Sequence, residues 1–170
     1  QPMTVSIVIP TYNHYSLLHQ CLYDIYNKCT DVDEVIVVND CSTDDDVYTG
    51  LNWWKGTEML PIRELRLDKN VMFLKASNIG IKKATGDVII LLSNDVILHG
   101  DICKETVRLL EVLPNKSLVG GRYLDFNTGW NTFGDKIFPY LEGWLLATTN
   151  DGWFDLGYFD ERFAPSDMED

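Results

Sequence analysis

The chain has 170 residues, 45% of them hydrophobic, which is one domain's worth with enough apolar side chains for a core. Lys and Arg number 14 against 26 Asp and Glu, a net charge of −12. Such a chain lacks the phosphate-neutralising cations of a general nucleic-acid binder, so no nucleic acid is expected as a partner. It can hold a phosphorylated substrate if a divalent cation mediates and carboxylates hold that cation. The four cysteines, Cys21, Cys29, Cys41 and Cys103, form no C-x-x-C pair and read as reduced, mostly buried thiols. No run reaches the ~18 apolar residues of a membrane span. The opening Gln1-Pro2-Met3-Thr4 lacks the charged and apolar regions of a signal peptide. The expected location is the cytoplasm, with peripheral attachment to the cytoplasmic membrane face left open.

Val5 to Pro10 is a short apolar run ending at a proline, the pattern of a buried parallel strand. Leu18, Cys21, Leu22, Ile25 and Cys29 recur at helical spacing and predict a helix over Ser16 to Lys28. Glu34 to Asn39 reads as a second buried strand, followed by a polar loop from Asp40 to Asp46 and a weak helix ending near Gly56. In that loop Asp44, Asp45 and Asp46 read as a solvated first helical turn, where negative charge suits the dipole. Ile62 to Leu67 is a third strand. Phe73 to Ala84 is a helix closed by Thr85-Gly86, a C-cap signal, and Val88 to Leu92 is the most apolar strand of all. Asp101 opens a further helix that Pro114 stops, and Ser117 to Gly121 is a candidate fifth strand. This alternation predicts an α/β fold with a mainly parallel sheet. Beyond Gly121 the pattern breaks into a region crowded with Gly, Asn, Trp and Phe, read as loops, hairpins or a short helix. The chain ends abruptly on acids, and we expect it to continue beyond Asp170.

In an open parallel sheet, ligands bind outside the carboxyl ends of the strands. Thr11, Tyr12 and Asn13 follow the first strand, Asp40 to Asp44 the second, and Ser93, Asn94 and Asp95 the fourth. All three loops are polar and two offer carboxylates at the same edge. Asp95, just past the most buried strand, can bind a hard divalent cation whose other positions are filled by diphosphate oxygens and water; as a turn residue or helix cap it has a plainer explanation. Asp40 can accept from a nucleobase N–H or form an Asx turn. Asn78, inside a helix where Asn is mildly unfavourable, serves either a site or helix-to-sheet packing, with Gly80 allowing close approach. His14, His19 and His99 lack metal-ligand spacing and are read as surface residues, and Trp53-Trp54 as core or interface.

Four blocks in order resemble the family 2 glycosyltransferases of the GT-A fold, over nearly the whole chain. Val5-Ser6-Ile7-Val8-Ile9-Pro10-Thr11-Tyr12-Asn13 is similar to the family's opening strand and loop. Glu34-Val35-Ile36-Val37-Val38-Asn39-Asp40-Cys41-Ser42-Thr43-Asp44 is similar to its second strand and base-binding loop. Asn78-Ile79-Gly80 through Gly86-Asp87 leads into Leu91-Leu92-Ser93-Asn94-Asp95-Val96, which looks like the DXD-type metal loop. Leu156-Gly157-Tyr158-Phe159-Asp160-Glu161-Arg162-Phe163, followed by Glu169-Asp170, looks like the acceptor-side acidic motif.

The resemblance implies a GT-A Rossmann-like α/β/α sandwich forming a single domain over 1–170. Residues 1–121 would be the nucleotide-sugar-binding half and 122–170 the start of an acceptor-side half. It implies a donor-binding set of Pro10, Thr11, Tyr12, Asp40, Asn78, Asn94 and Asp95, with Asp95 as ligand to Mn²⁺ or Mg²⁺ and Asp170 as general base. The implied reaction is inverting, metal-assisted transfer from a nucleoside-diphosphate sugar, UDP- or dTDP-linked, to a saccharide or lipid-linked acceptor, as in cell-envelope polysaccharide synthesis. Two positions depart from the family's pattern: Asn39 stands where many members have Asp, and Ser93 replaces the first acid of DXD.

A dinucleotide oxidoreductase would need G-x-G-x-x-G after the first strand, where this chain has no glycine. A nucleotidyltransferase would need a Gly-rich basic loop there. The remaining alternative is a non-catalytic nucleotide-sugar-binding domain.

Overall fold

Side-chain alternation decides where each buried strand sends its apolar groups. All seven residues of β1 (Val5–Thr11) are buried. Val5, Ile7 and Ile9 enter one apolar cluster and Val8 the other, because successive side chains leave opposite faces of a strand. In β2 (Glu34–Asn39) and β4 (Val88–Leu92) the same split sends Val35, Val37, Val88, Ile90 and Leu92 to the first cluster and Ile36, Val38, Ile89 and Leu91 to the second. A strand covered on both faces has no polar side, which is why these segments read as unbroken apolar runs.

The structure, a computed structural model, describes residues 2–114, 117–121, 130–133, 136–139 and 142–163. The first cluster lies under α1 (Tyr15–Lys28), α2 (Asp45–Thr57) and α4 (Ile102–Val112), which contribute Leu18, Leu22, Ile25, Leu51, Trp54 and Cys103. The second lies under α3 (Met72–Lys83) and α5 (Asn150–Leu156), which contribute Ala76, Ile81 and Trp153. The architecture is therefore the expected α/β/α sandwich.

The main sheet has six strands in the order β3-β2-β1-β4-β8-β5, where β3 is Ile62–Arg66, β5 is Val119–Gly121 and β8 is Glu142–Thr149. From β3 to β4 all pairing is parallel, while β8 runs antiparallel to both β4 and β5. A separate antiparallel pair joins β6 (Trp130–Phe133) to β7 (Lys136–Pro139). A 3-10 turn, Glu161–Phe163, closes the described chain.

Several details differ from what the sequence predicts. β1 does not stop at Pro10 but continues to Thr11, with Pro10 in register opposite Val38. Thr85-Gly86 is not a left-handed helix cap: α3 ends at Lys83, and the Ala84 N–H donates to the Gly80 carbonyl at 3.0 Å. Gly86 is needed for close approach, since a Cβ there would meet the Ser6 backbone nitrogen at 2.7 Å. The region beyond Gly121 supplies a full sheet strand, β8, inserted between β4 and β5, so the sheet runs across the boundary drawn there. Among the residues of that strand whose burial is described, Leu145 to Thr148 are the buried ones, too short a stretch to stand out among aromatic and glycine neighbours.

His19 also departs from its expected surface role. It packs against Tyr15, Trp53 and Trp54, and its Nδ1 accepts from Trp54 Nε1–H at 3.2 Å. Trp54 is fully buried and Trp53 is 52% exposed. The expected close approach at Gly80 is present, where a Cβ would meet Val8 Cγ1 at 2.3 Å.

Candidate functional site

Parallel strands bring their carboxyl ends to one edge. β1 and β4 are neighbours without being consecutive, so the strand order reverses between them, and such a switch point is where an open sheet leaves a crevice. Residues far apart in sequence meet there. The Asp40 N–H donates to the Thr11 carbonyl at 2.8 Å, and Asn94 Nδ2 donates to Thr11 Oγ1 at 2.9 Å. Thr11 is buried between its two partners, and Pro10 is buried just behind it. Tyr12 is exposed on the next position out.

Asp40 does more than turn its own loop. Its Oδ1 accepts from the Val71 N–H at 2.8 Å and its Oδ2 from the Met72 N–H at 2.9 Å. Those amides open α3, where helical N–H groups lack partners within the helix. Burial raises the Asp40 carboxyl above its ordinary range, outweighing the two amide bonds that lower it. Each carboxylate oxygen keeps a second lone pair, so an additional donor can still be accepted.

Two polar residues to which the sequence assigns no role hold these loops in place. Asn13, at φ 58°, donates its N–H to Ser42 Oγ at 2.9 Å, while its Oδ1 accepts from the Thr43 and Asp44 N–H groups at 2.7 and 3.2 Å. It therefore serves the start of α2, whose N-cap Asp44 makes no side-chain cap bond. Asn39 is fully buried; its Oδ1 accepts from the Ser42 N–H at 3.0 Å and its Nδ2 donates to Glu64 Oε1 at 3.1 Å. Burial alone would raise Glu64, but Lys55 at 2.8 Å, Asn39 and Arg66 hold its carboxyl below the usual range. The one signal for Asn13 in the sequence is its type, since Asn tolerates the left-handed conformation that most residues avoid. Left-handed residues follow β1, β2 and β3 alike: Asn13 and His14, then Cys41, in loops, and Met72 at the first position of α3.

Asp95 lies in the turn after β4 and is exposed. Among the described residues no hydrogen bond or ion pair engages its carboxylate. Beside it, Asn94 uses its amide nitrogen on Thr11 and retains its carbonyl oxygen. The protein thus offers hard oxygen donors and a single carboxylate, which suits Mn²⁺ or Mg²⁺ keeping water and phosphate oxygens as its remaining ligands.

Asn78 belongs to a different contact. It is 2% exposed, and its Nδ2 donates to the Phe159 carbonyl at 2.9 Å and to Glu161 Oε1 at 3.0 Å. Its Oδ1 accepts from the Phe159 N–H at 2.9 Å. The amide is engaged by the segment after α5, not by the network of Thr11, Asp40 and Asn94. In the same segment Asp160 pairs with Arg162, which pulls its carboxyl down to about 2. Asp170 lies outside the described residues.

A family profile described as "Glycosyl transferase family 2" matches residues 6–164 of the chain. A dolichol-phosphate mannosyltransferase of Pyrococcus furiosus is 30% identical over 128 residues, covering 72% of this chain and 34% of the relative. Among solved structures, the mannosyltransferase PcManGT from Pyrobaculum calidifontis, in complex with GDP-Man and Mn²⁺, superposes with a TM-score of 0.75 at 23% identity, over 99% of this chain and 50% of that one. S. aureus TarS 1-349, in complex with UDP, gives 0.76 at 18% identity, over 98% of this chain and 53% of that one. The six-strand mixed sheet matches these GT-A structures. The chain spans about half the length of these two structures and a third of the curated relative.

Proposed function

Because the chain belongs to glycosyl transferase family 2, we propose that it binds a nucleoside-diphosphate sugar at the carboxyl edge of β1, β2 and β4. The protein of which it forms a part would transfer the sugar, with inversion, to a saccharide or lipid-linked acceptor. The observation that carries this reading is the meeting of Thr11, Asp40 and Asn94 at the switch point, with an unengaged carboxylate, Asp95, on the adjoining turn. Solved structures of the same fold were obtained with GDP-Man and Mn²⁺ and with UDP, which supports a nucleotide-linked donor and a divalent metal.

In this reading Thr11 and Asp40 hold the base, and Pro10 and Tyr12 shape the wall beside it. Asn94 orients Thr11 and presents its carbonyl oxygen to the donor. Asp95 anchors Mn²⁺ or Mg²⁺, which when bound neutralises charge on the leaving diphosphate. Asp170 takes the acceptor hydroxyl proton as that oxygen attacks the anomeric carbon. Asn78 holds the segment leading toward Asp170 against the donor half. We place the protein in the cytoplasm or on the cytoplasmic membrane face; no helix among the described residues is long and apolar enough to cross a membrane. UDP- and dTDP-sugars are our preferred donors, and cell-envelope polysaccharide synthesis our preferred setting.

Calorimetric titration of the chain with UDP, dTDP, GDP and CDP, with and without Mn²⁺, tests the reading. Tight binding of one nucleotide, strengthened by metal, is the expected result. Binding that ignores the metal, or no binding by the folded chain, would remove the donor site from this edge.

A further inference from the structure

A polar seam ties the end of α1 to the chain running from β4 into α4. Asp24 Oδ2 accepts from the Leu98 N–H at 3.0 Å, and Lys28 Nζ donates to the Leu98 carbonyl. Thr30 donates its N–H, at 3.0 Å, and its hydroxyl, at 2.6 Å, to Asp101 Oδ2. Two cysteines sit within this seam. Cys29 closes α1, its N–H donating to the Ile25 carbonyl at 2.9 Å, and is half-buried. Cys103 lies in the first turn of α4 and is 1% exposed. Both sulfurs and an Asp101 oxygen lie within 4.8 Å of one another.

Asp101 argues against a metal centre here. Its Oδ1 accepts from the Lys104 N–H at 3.0 Å, and its Oδ2 takes both Thr30 donors. A carboxylate committed to capping α4 and holding Thr30 leaves two sulfurs, fewer than the three or four ligands of a thiophilic metal site. The thiols themselves are unequal. The neighbouring Cys103 thiol holds Cys29 below the ordinary thiol range, while Cys29 and burial push Cys103 well above it. Cys21, with no thiol partner, is pushed up to about 12 by burial and then by Asp24 and Asp95. A half-buried thiol whose thiolate is eased, within 4.8 Å of a deeply buried thiol whose thiolate is disfavoured, is the arrangement of an attacking and a resolving sulfur.

We propose that Cys29 and Cys103 form a redox-active dithiol that a low-molecular-weight disulfide oxidises to a covalent crosslink between α1 and α4. The Cys29 thiolate attacks one sulfur of the reagent, forming a mixed disulfide and expelling one small thiolate. The Cys103 sulfur, giving up its proton, attacks Cys29 Sγ, breaks the mixed disulfide and expels the second small thiolate. Two protein thiols are oxidised, the reagent is reduced to two thiols, and the two protons from the protein end on them. The crosslink closes a loop that contains β2, β3 and β4, with Asp40 and Asp95 between its ends, and so constrains the unfolded chain.

The test incubates the native chain with oxidised glutathione, quenches it by alkylation, and reads intact mass and non-reduced peptide maps. The expected product has lost two hydrogens, carries a Cys29–Cys103 linked peptide, and melts several degrees higher than the reduced chain, a gain that reductant reverses. With Cys103→Ser the reaction should stop with glutathione on Cys29. Glutathione remaining on Cys29 of the parent chain, a link through Cys21 or Cys41, or no reaction at all overturns the proposal. The parent chain alone distinguishes these outcomes, and none of them depends on nucleotide binding.

Discussion

The two halves of the molecule are stabilised in opposite ways. At the carboxyl edge of β1, β2 and β4, each loop follows directly from a buried strand, and parallel pairing brings the loops that carry Thr11, Asp40 and Asn94 to one edge. Beyond Gly121, β8 joins the sheet through its backbone ladder to β4, and the segment that follows β8 is fastened to that sheet and to α3 by a few individual bonds. Asn150 donates its N–H to the Asp87 carbonyl at 2.9 Å, Trp153 Nε1 to the Ile89 carbonyl at 3.1 Å, and Asn78 grips Phe159 through both backbone groups. The edge proposed to bind the donor is thus set first by sheet topology, whereas the segment after β8 is latched on. Single substitutions should leave the first arrangement standing and loosen the second.

The largest expected effect is nonetheless at the proposed donor edge, at Asp95, whose proposed part is to hold the metal. Asp95→Ala should abolish the gain in nucleotide affinity on adding Mn²⁺, with the melting temperature little changed, because the carboxylate is exposed and engages no described residue. If titration shows the gain intact, the metal assignment fails.

Next is Asn78→Ala. It removes three part-buried hydrogen bonds and leaves the Phe159 N–H and carbonyl without their partner, a cost of about 3 kcal/mol. Denaturant unfolding should show that loss, and hydrogen exchange should rise at residues 157–162 while the amides of β1 and β2 keep their relative protection. Uniform loss of protection would contradict the latch.

Trp153→Phe should be milder, at about 1–2 kcal/mol, since the ring stays against Phe159 and only the Ile89 carbonyl loses its donor. A variant as stable as the parent would assign the contribution to packing alone.

The smallest expected effect is a pH dependence at the seam between α1 and the chain leading to α4. Burial alone would raise Asp24, but Lys28 at 2.6 Å and the Leu98 N–H hold it below its ordinary value. A depressed folded-state pKa contributes stability above the unfolded value, near pH 4, and that stability is lost as pH falls through the folded value. Asp24→Asn should therefore flatten the fall in stability between about pH 5 and 3. An unchanged slope in urea titrations would show that the seam does not couple to this carboxyl.

Much of the donor half is legible in the chain itself. Apolar runs mark β1, β2 and β4, period 3.6 marks α1 and α4, and the polar loops after three strands locate the edge proposed to bind a ligand. Asp44 to Asp46 begin α2 as the dipole rule describes. What escapes such a reading depends on distant partners. Asn39 looks like the end of a strand and Asn13 like an ordinary loop residue until Glu64, Ser42 and Thr43 are brought beside them. Asn78 looks like a ligand residue because a helical Asn invites a polar explanation, and the partner is Phe159, 81 positions away.

The sequence by itself determined which segments are buried strands and helices, since solvent exclusion acts on local periodicity. It also determined that the edge would be acidic and polar, since that is composition. Only the tertiary structure decided that β8 would lie between β4 and β5, that Asp40 would hold the first amides of α3, and that Cys29 would meet Cys103. Each of these joins groups with no local pattern in common, and their pairing is selected by the shape and hydrogen-bonding needs of the assembled sheet.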